Sequence, residues 1–99
     1  MVSTAISVNA ADCEQATIKM VGVNPANTTT GASDYFVRMD CANDATWPGI
    51  ISFYLSSDLG DSGLATLLTA TSLNLPVWVR TSGIAPGSLV TVIYMNTNN

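Results

Sequence analysis

Alternating apolar and polar positions predict that most of this chain forms β-strands. In the segment ATIKMVGV, Ile18 and Met20 share one face, whereas Thr17 points to the other. The segments DYFVRMDC, IISFYLS and VWVRTS alternate in the same way, and LVTVIYMN is apolar on both faces apart from Thr91. The five predicted strands are residues 16–23, 34–41, 50–56, 77–82 and 89–96.

One helix is predicted between the third and the fourth strand. Its core face is a stripe of residues at helical spacing, formed by Leu64, Leu67, Leu68 and Thr71. Three side chains suited to accept hydrogen bonds from the first helical amides are Asp58, Asp61 and Ser62. The helix is therefore predicted from about residue 62 to residue 72 or 74, and Pro76 ends it.

The order β-β-β-α-β-β predicts a mainly β fold with one helix, in a single domain that covers residues 1–99. It is the order of a five-stranded OB-type barrel, in which the helix lies between strands three and four. An α+β sheet covered by one helix has the same order of elements, and the pattern does not separate the two. Residues 1–10 are interpreted as an arm or a short strand.

The two cysteines, Cys13 and Cys41, predict one disulfide and an oxidising compartment, with two buried free thiols as the alternative. A hairpin loop centred near residue 27 or 28 would place Ile18 opposite Val37. The same register brings Cys41 opposite Glu14, next to Cys13. A single β-bulge, or departure of Cys13 from the strand, would then allow the bond.

The segment GLATLLTATSLNLP, residues 63–76, contains no charged residue. A helix that lacks a charged face is usually buried on more than one side, and a domain of 99 residues has little to cover the second side. A neighbouring copy of the chain is the simplest cover, which predicts a homo-oligomer. The predicted interface residues are Ala65, Thr66 and Thr69. The alternative is a monomer with an uncharged Ser/Thr face.

Composition narrows the classes of function. Charged residues make up 10% of the chain and the net charge is −4, with three scattered cations. Nucleic acids and anionic membranes are bound by clustered Lys and Arg, so neither is expected as a partner. No apolar run reaches the length of a transmembrane helix, so membrane insertion is not expected either. The first residues lack the features of a signal peptide, and a secreted or periplasmic protein with the signal already removed is expected.

Catalytic chemistry is not expected. The chain has no His, which excludes a Ser-His-Asp arrangement and the usual general base. Two cysteines without further soft ligands do not make a structural zinc site, and no cofactor loop is present. Asp58 and Asp61 are close in sequence, but helix capping explains them. The prediction is a non-enzymatic protein without a cofactor or a metal.

Aromatic residues are the remaining candidates for binding. Trp47 lies beside Pro48 in a predicted turn, and Trp78 shares a strand face with Arg80, so these positions are expected at a wet surface. An aromatic ring can pack on the C–H face of a sugar while neutral polar groups meet the hydroxyls. The predicted ligand-binding residues are Trp47, Trp78 and Arg80. For each aromatic residue, a place in the core or in a subunit interface is the alternative.

The chain resembles the small receptor-binding B subunits of bacterial A–B toxins, of the subtilase-cytotoxin and pertussis-like kind. The resemblance is carried by three segments, which are DYFVRMDC, ISFYLSS and LATLLTATSLNLPVWVRTSG. The resemblance spans roughly residues 34–82. It implies an OB fold, secretion, glycan binding, a pentameric ring with helices around a central pore, and a catalytic A subunit as a partner. The chain departs from the family because it is shorter and lacks a C-terminal cysteine pair. None of the family's glycan-contacting residues can be matched to a position in this chain.

Together these observations predict a secreted, oligomeric module that recognises a cell-surface glycan or receptor. The alternative is a structural or assembly subunit of the periplasm or cell surface that has no small-molecule ligand.

Overall fold

The computed structural model describes residues 11–25, 28–41, 44 and 46–97. The predicted arm or strand in residues 1–10 lies outside these ranges. The elements in chain order are β1 (Ala11–Val23), β2 (Ala32–Cys41), β3 (Ile51–Ser56), α1 (Gly60–Leu73), β4 (Val77–Thr81) and β5 (Leu89–Met95). The strands close into a barrel in the order β1-β2-β3-β5-β4, and β3 and β5 form a parallel pair. The predicted mainly β fold with a five-stranded OB-type barrel is confirmed, including a helix between β3 and β4.

Alternate residues of β2, β3 and β4 fill the barrel, as the sequence pattern predicts. The buried side chains on these strands include Val37, Met39, Cys41, Ile51, Phe53, Leu55, Val77 and Val79. Each fully buried apolar side chain of this size contributes roughly 1.5–3 kcal/mol relative to an exposed one. The outward residues of the same strands form part of the protein surface.

The register between β1 and β2 differs from the predicted one. Ile18 lies opposite Met39 and not opposite Val37, because the connecting loop is centred later in the chain than expected. In residues 16–18 the shift is of two residues, which keeps each of these side chains on its predicted face. An irregularity between Ile18 and Met20 turns Met20 outward, where its side chain is 49% exposed. The prediction that Ile18 and Met20 share a face is therefore wrong.

The predicted disulfide between Cys13 and Cys41 is confirmed, with the two Cα atoms 6.0 Å apart. Cys41 pairs with Ala16 across the hairpin, and β1 is irregular between Cys13 and Ala16 where it meets β4. That irregularity brings Cys13 back to Cys41. The bond closes a sequence separation of 28 residues, worth about 3–4 kcal/mol in the chain-entropy description.

The helix turns a different face to the barrel than the one predicted. Its buried residues are Gly63, Leu67 and Ala70. The predicted stripe is therefore wrong as a set: Leu64 is half-buried, and Leu68 is 48% exposed. Gly63 explains the rotation, because a Cβ atom there would lie 2.8 Å from the Cβ of Leu59 and 3.0 Å from a Leu55 methyl carbon.

The two ends of α1 are stabilised differently. At the start, Leu59 is the capping residue and no side chain caps the helix, so the predicted role of Asp58, Asp61 and Ser62 is wrong. At the end, Asn74 adopts the left-handed conformation (φ 57°), and the Leu75 amide donates to the Ala70 carbonyl at 2.9 Å. This is a Schellman termination, followed by the predicted proline.

Candidate functional site

Two aromatic rings lie side by side on the outer surface of β4 and β5. Trp78 pairs with Tyr94 across these antiparallel strands, with the ring centroids 5.5 Å apart and the planes 33° from parallel. Val77 and Val79, the chain neighbours of Trp78, point into the core. Strand alternation therefore directs the indole outward, and Tyr94 is 63% exposed.

Arg80 continues this aromatic surface toward β1. Its guanidinium carbon lies 5.6 Å from the centre of the Trp78 ring, within the range of a cation–π contact. The same guanidinium donates to both carboxylate oxygens of Asp12, at 2.9 and 3.2 Å. These hydrogen bonds hold the pKa of Asp12 below its ordinary value and raise the pKa of Arg80. The Arg80 side chain is thus oriented from two sides, by a ring and by a carboxylate.

A cleft of about 370 Å³ adjoins the Trp78 ring, a volume within the range of small-ligand sites. Its lining residues are Glu14, Gln15, Trp78, Met95, Asn96 and Thr97. The Asn96 side-chain amide donates to the Glu14 carbonyl at 3.1 Å, and the Asn96 backbone amide donates to the Pro76 carbonyl at 3.0 Å. The wall of the cleft beyond β5 is therefore tied to β1 and to the start of β4. One ring and several polar groups converge there.

Of the three predicted binding residues, the structure brings Trp78 and Arg80 together and separates Trp47 from them. Trp47 is 5% exposed and packs against Phe53, with the ring centroids 5.4 Å apart. The expectation of a wet surface at Trp47 is therefore wrong. The turn before it is closed by Asp44, whose carboxylate accepts from the Thr46 amide at 2.9 Å and from the Thr46 hydroxyl at 2.7 Å. Burial of the large indole surface then favours the inward position.

The predicted interface residues lie on the side of α1 that turns away from the barrel. Ala65 and Thr69 are exposed, and Thr66 is half-buried with its hydroxyl donating to the Ser62 carbonyl at 3.0 Å. Leu68, predicted to be in the core, lies on this outer side instead and is 48% exposed. The side chains of Ala65, Thr66, Leu68 and Thr69 are uncharged, and those of Ala65 and Leu68 are apolar.

Two residues of the Trp78 surface were missed by the sequence reasoning. Tyr94 could have been found, because a turn centred on Pro86 places it directly opposite Trp78. Asp12 could not, since β1 was predicted to begin at residue 16 and the strand in fact extends back to Ala11. The pairing of Asp12 with Arg80 depends on that extension.

Comparison of the chain with family models, with curated proteins and with solved structures gives no match. Within residues 11–25, 28–41, 44 and 46–97, no group of three or more Cys, Asp or Glu side chains is arranged to hold a metal ion. Over that same part of the chain, none of the helical structure has the length and hydropathy needed to cross a membrane.

Proposed function

We propose that this protein is a secreted binding module that recognises a cell-surface carbohydrate through Trp78, Tyr94 and Arg80. The observation that carries the proposal is the pair of outward-facing rings on β4 and β5, beside a polar cleft. The disulfide supports the secreted location, because such bonds persist in oxidising compartments.

Carbohydrate is the ligand class that suits this surface. The C–H face of a sugar ring is apolar and packs on an aromatic face, whereas its hydroxyls need hydrogen-bond partners once they leave water. Trp78 and Tyr94 offer the aromatic faces, and the side chains of Glu14, Asn96 and Thr97 offer polar groups at the edge. Because Asp12 neutralises the charge of Arg80, the surface favours an uncharged sugar over an anionic one.

A glycan array, followed by titration of the strongest hits, tests this proposal. We expect saturable binding by the wild-type protein and a loss of about tenfold or more in affinity for Trp78→Ala. Ile84→Ala is the matched control, because Ile84 is an exposed apolar residue outside the cleft. An array without binding would contradict the proposal and favour the structural or assembly subunit that has no small-molecule ligand.

We further propose that copies of the chain associate through the outer side of α1. The exposed Leu68 side chain supports this, together with the small neutral residues Ala65, Thr66 and Thr69 around it. The toxin B-subunit resemblance implies a pentamer. Light scattering of the wild-type protein and of Leu68→Glu measures the assembly. An oligomer is expected for the wild-type chain and a monomer for the variant, and a 10.3 kDa species in both samples would contradict the interface.

A further inference from the structure

A second aromatic pair occupies the outer surface of β2 and β3. Phe36 and Tyr54 lie opposite each other across these strands, and both side chains are half-buried. Their chain neighbours Val37, Phe53 and Leu55 fill the barrel, so strand alternation places the two rings outside it. None of these residues belongs to the Trp78 surface.

The Phe36 ring packs over a glycine of the neighbouring strand β1. Gly22 pairs with Phe36, and a Cβ atom on Gly22 would lie 2.7 Å from Cε1 and 2.8 Å from Cζ of that ring. Real Cβ contacts are not that short. The absence of a side chain at Gly22 thus lets the ring lie against the backbone of β1, where it forms a floor.

The Tyr54 side of this surface is also held in place. The side-chain amide of Asn24 donates to the Tyr54 hydroxyl at 3.3 Å. The loop between β4 and β5 is fastened to β3 by two backbone hydrogen bonds, from Gly87 N–H to the Ser52 carbonyl at 2.8 Å and from Tyr54 N–H to the Ser88 carbonyl at 3.1 Å. This loop therefore forms one wall of a cleft beside the rings of Phe36 and Tyr54.

The floor and the wall enclose a cleft of about 460 Å³. It is lined by Asn24, Phe36, Ser52, Phe53, Tyr54, Pro86 and Gly87. No carboxylate, ammonium or guanidinium group belongs to this lining, whereas Glu14 lines the cleft beside Trp78. The polar groups that remain are two hydroxyls and one amide, and each of these can both donate and accept.

We propose that this cleft is a second, separate carbohydrate site that takes one uncharged hexopyranose ring. The apolar face of the sugar packs on Phe36, and its hydroxyls exchange hydrogen bonds with Asn24, Ser52 and Tyr54. A proline-rich peptide is the other ligand that aromatic grooves bind, but its backbone presents mainly carbonyl acceptors. Groups that both donate and accept fit the hydroxyls of a sugar better. A protomer with both sites would hold two sugar units of one glycan, or two glycans.

Amide NMR titration with methyl hexopyranosides tests this site apart from the Trp78 surface. The probes are methyl β-D-glucopyranoside, methyl β-D-galactopyranoside and methyl α-D-mannopyranoside, each added to the wild-type full chain. We expect saturable shifts at the Asn24 side-chain amide and at the backbone amides of Gly87 and Ser88. Trp78→Ala should leave these shifts unchanged, which separates failure of this site from failure of the Trp78 site.

Two variants locate the binding residues. Phe36→Ala should weaken the affinity about tenfold through loss of the stacking floor. Tyr54→Phe keeps the ring and removes only the hydroxyl, so it should weaken binding less while the protein stays folded. Shifts that are absent with all three sugars, or that survive both changes, overturn the proposal. Shifts caused by a ten-residue proline-rich peptide and by no sugar also overturn it and assign the cleft to a peptide.

Discussion

The two tryptophans of this chain occupy opposite environments. Trp47 is 5% exposed and packs on Phe53 in the core, whereas Trp78 lies half-buried beside the exposed ring of Tyr94. Both were expected at the surface. The difference shows that alternation locates a side chain in a regular strand such as β4, because each neighbour in the strand constrains it. A turn residue has no such constraint, and the packing of distant strands decides its position.

Magnitudes explain why Trp47 turns inward. Its indole nitrogen has no hydrogen-bond partner among the described residues, which costs roughly 1–3 kcal/mol. Burial of an aromatic side chain removes about 150–250 Å² from water. At about 25 cal/mol per Å², that burial contributes roughly 4–6 kcal/mol. The apolar gain therefore exceeds the polar cost.

The largest expected contrast is in stability. Trp47→Ala should lower the free energy of unfolding by about 3–5 kcal/mol, because it leaves a cavity against Phe53. Trp78→Ala should lower it by much less, since the outward ring leaves no enclosed cavity. Urea unfolding of the two variants measures the difference. Equal losses in the free energy of unfolding would contradict the assignment of Trp47 to the core and Trp78 to the surface.

Loss of the disulfide should be the next largest effect. Replacing Cys13 and Cys41 with Ser removes the constraint on the unfolded chain and should cost about 3–4 kcal/mol. Both residues belong to the core cluster that contains Trp47. Urea unfolding of the double variant gives the size of the loss. A midpoint equal to that of the wild-type protein would show that the bond contributes nothing to this core.

The helix offers the same inside–outside contrast between adjacent residues. Leu67 is fully buried and Leu68 is 48% exposed. Leu67→Ala should lower the free energy of unfolding by at least about 2 kcal/mol, and Leu68→Ala by less than half of that. Thermal unfolding checks both at a concentration low enough for light scattering to show each variant as a monomer, so that the proposed association through Leu68 does not contribute. A larger loss of stability for Leu68→Ala than for Leu67→Ala would contradict this assignment and place Leu68 in the core.

The smallest expected effect is on the pH dependence of stability, and it comes from the ion pair between Asp12 and Arg80 beside Trp78. The hydrogen bonds from Arg80 depress the pKa of Asp12, so the ion pair stabilises the fold above the ordinary Asp pKa of 3.8. That stabilisation is lost as the pH falls through the lowered pKa. Asp12→Asn should thus be slightly less stable than the wild-type protein at neutral pH, and the difference should vanish in acid. A difference that persists unchanged below the lowered pKa would contradict this role for the ion pair.

The Trp47→Ala variant provides the matched control for this dependence. No titratable group is added or removed at Trp47, so its loss of stability should not follow the titration of Asp12. Thermal unfolding of both variants from neutral to acid pH measures the two behaviours together.

Features of the fold that depend on neighbouring residues could be predicted from the sequence, and features that depend on contacts between distant residues could not. The inward residues of β2, β3 and β4 could be predicted, because alternation is local. The position of Ile18 opposite Met39 could not, since it depends on the loop and on a bulge. The buried face of α1 was also missed, because it depends on how closely Gly63 approaches Leu55.

The candidate site shows the same division. Trp78 and Arg80 share a face by alternation alone, and the structure adds Tyr94 and Asp12 from neighbouring strands. The Phe36 cleft depends on Gly22, Asn24 and a loop distant in sequence, so no local pattern indicates it. Local pattern thus identifies which side chains face outward, and strand pairing decides which of them meet.

The central claim is that a carbohydrate binds on the Trp78 ring, and acrylamide quenching of tryptophan fluorescence tests it most directly. The chain has two tryptophans, and of these only Trp78 should be accessible to the quencher. A glycan selected on the array should shield the wild-type protein from quenching. The Trp78→Phe variant, which reports on Trp47 alone, should show weak quenching that the glycan does not change. A bound glycan that leaves the wild-type quenching unaltered would contradict the claim.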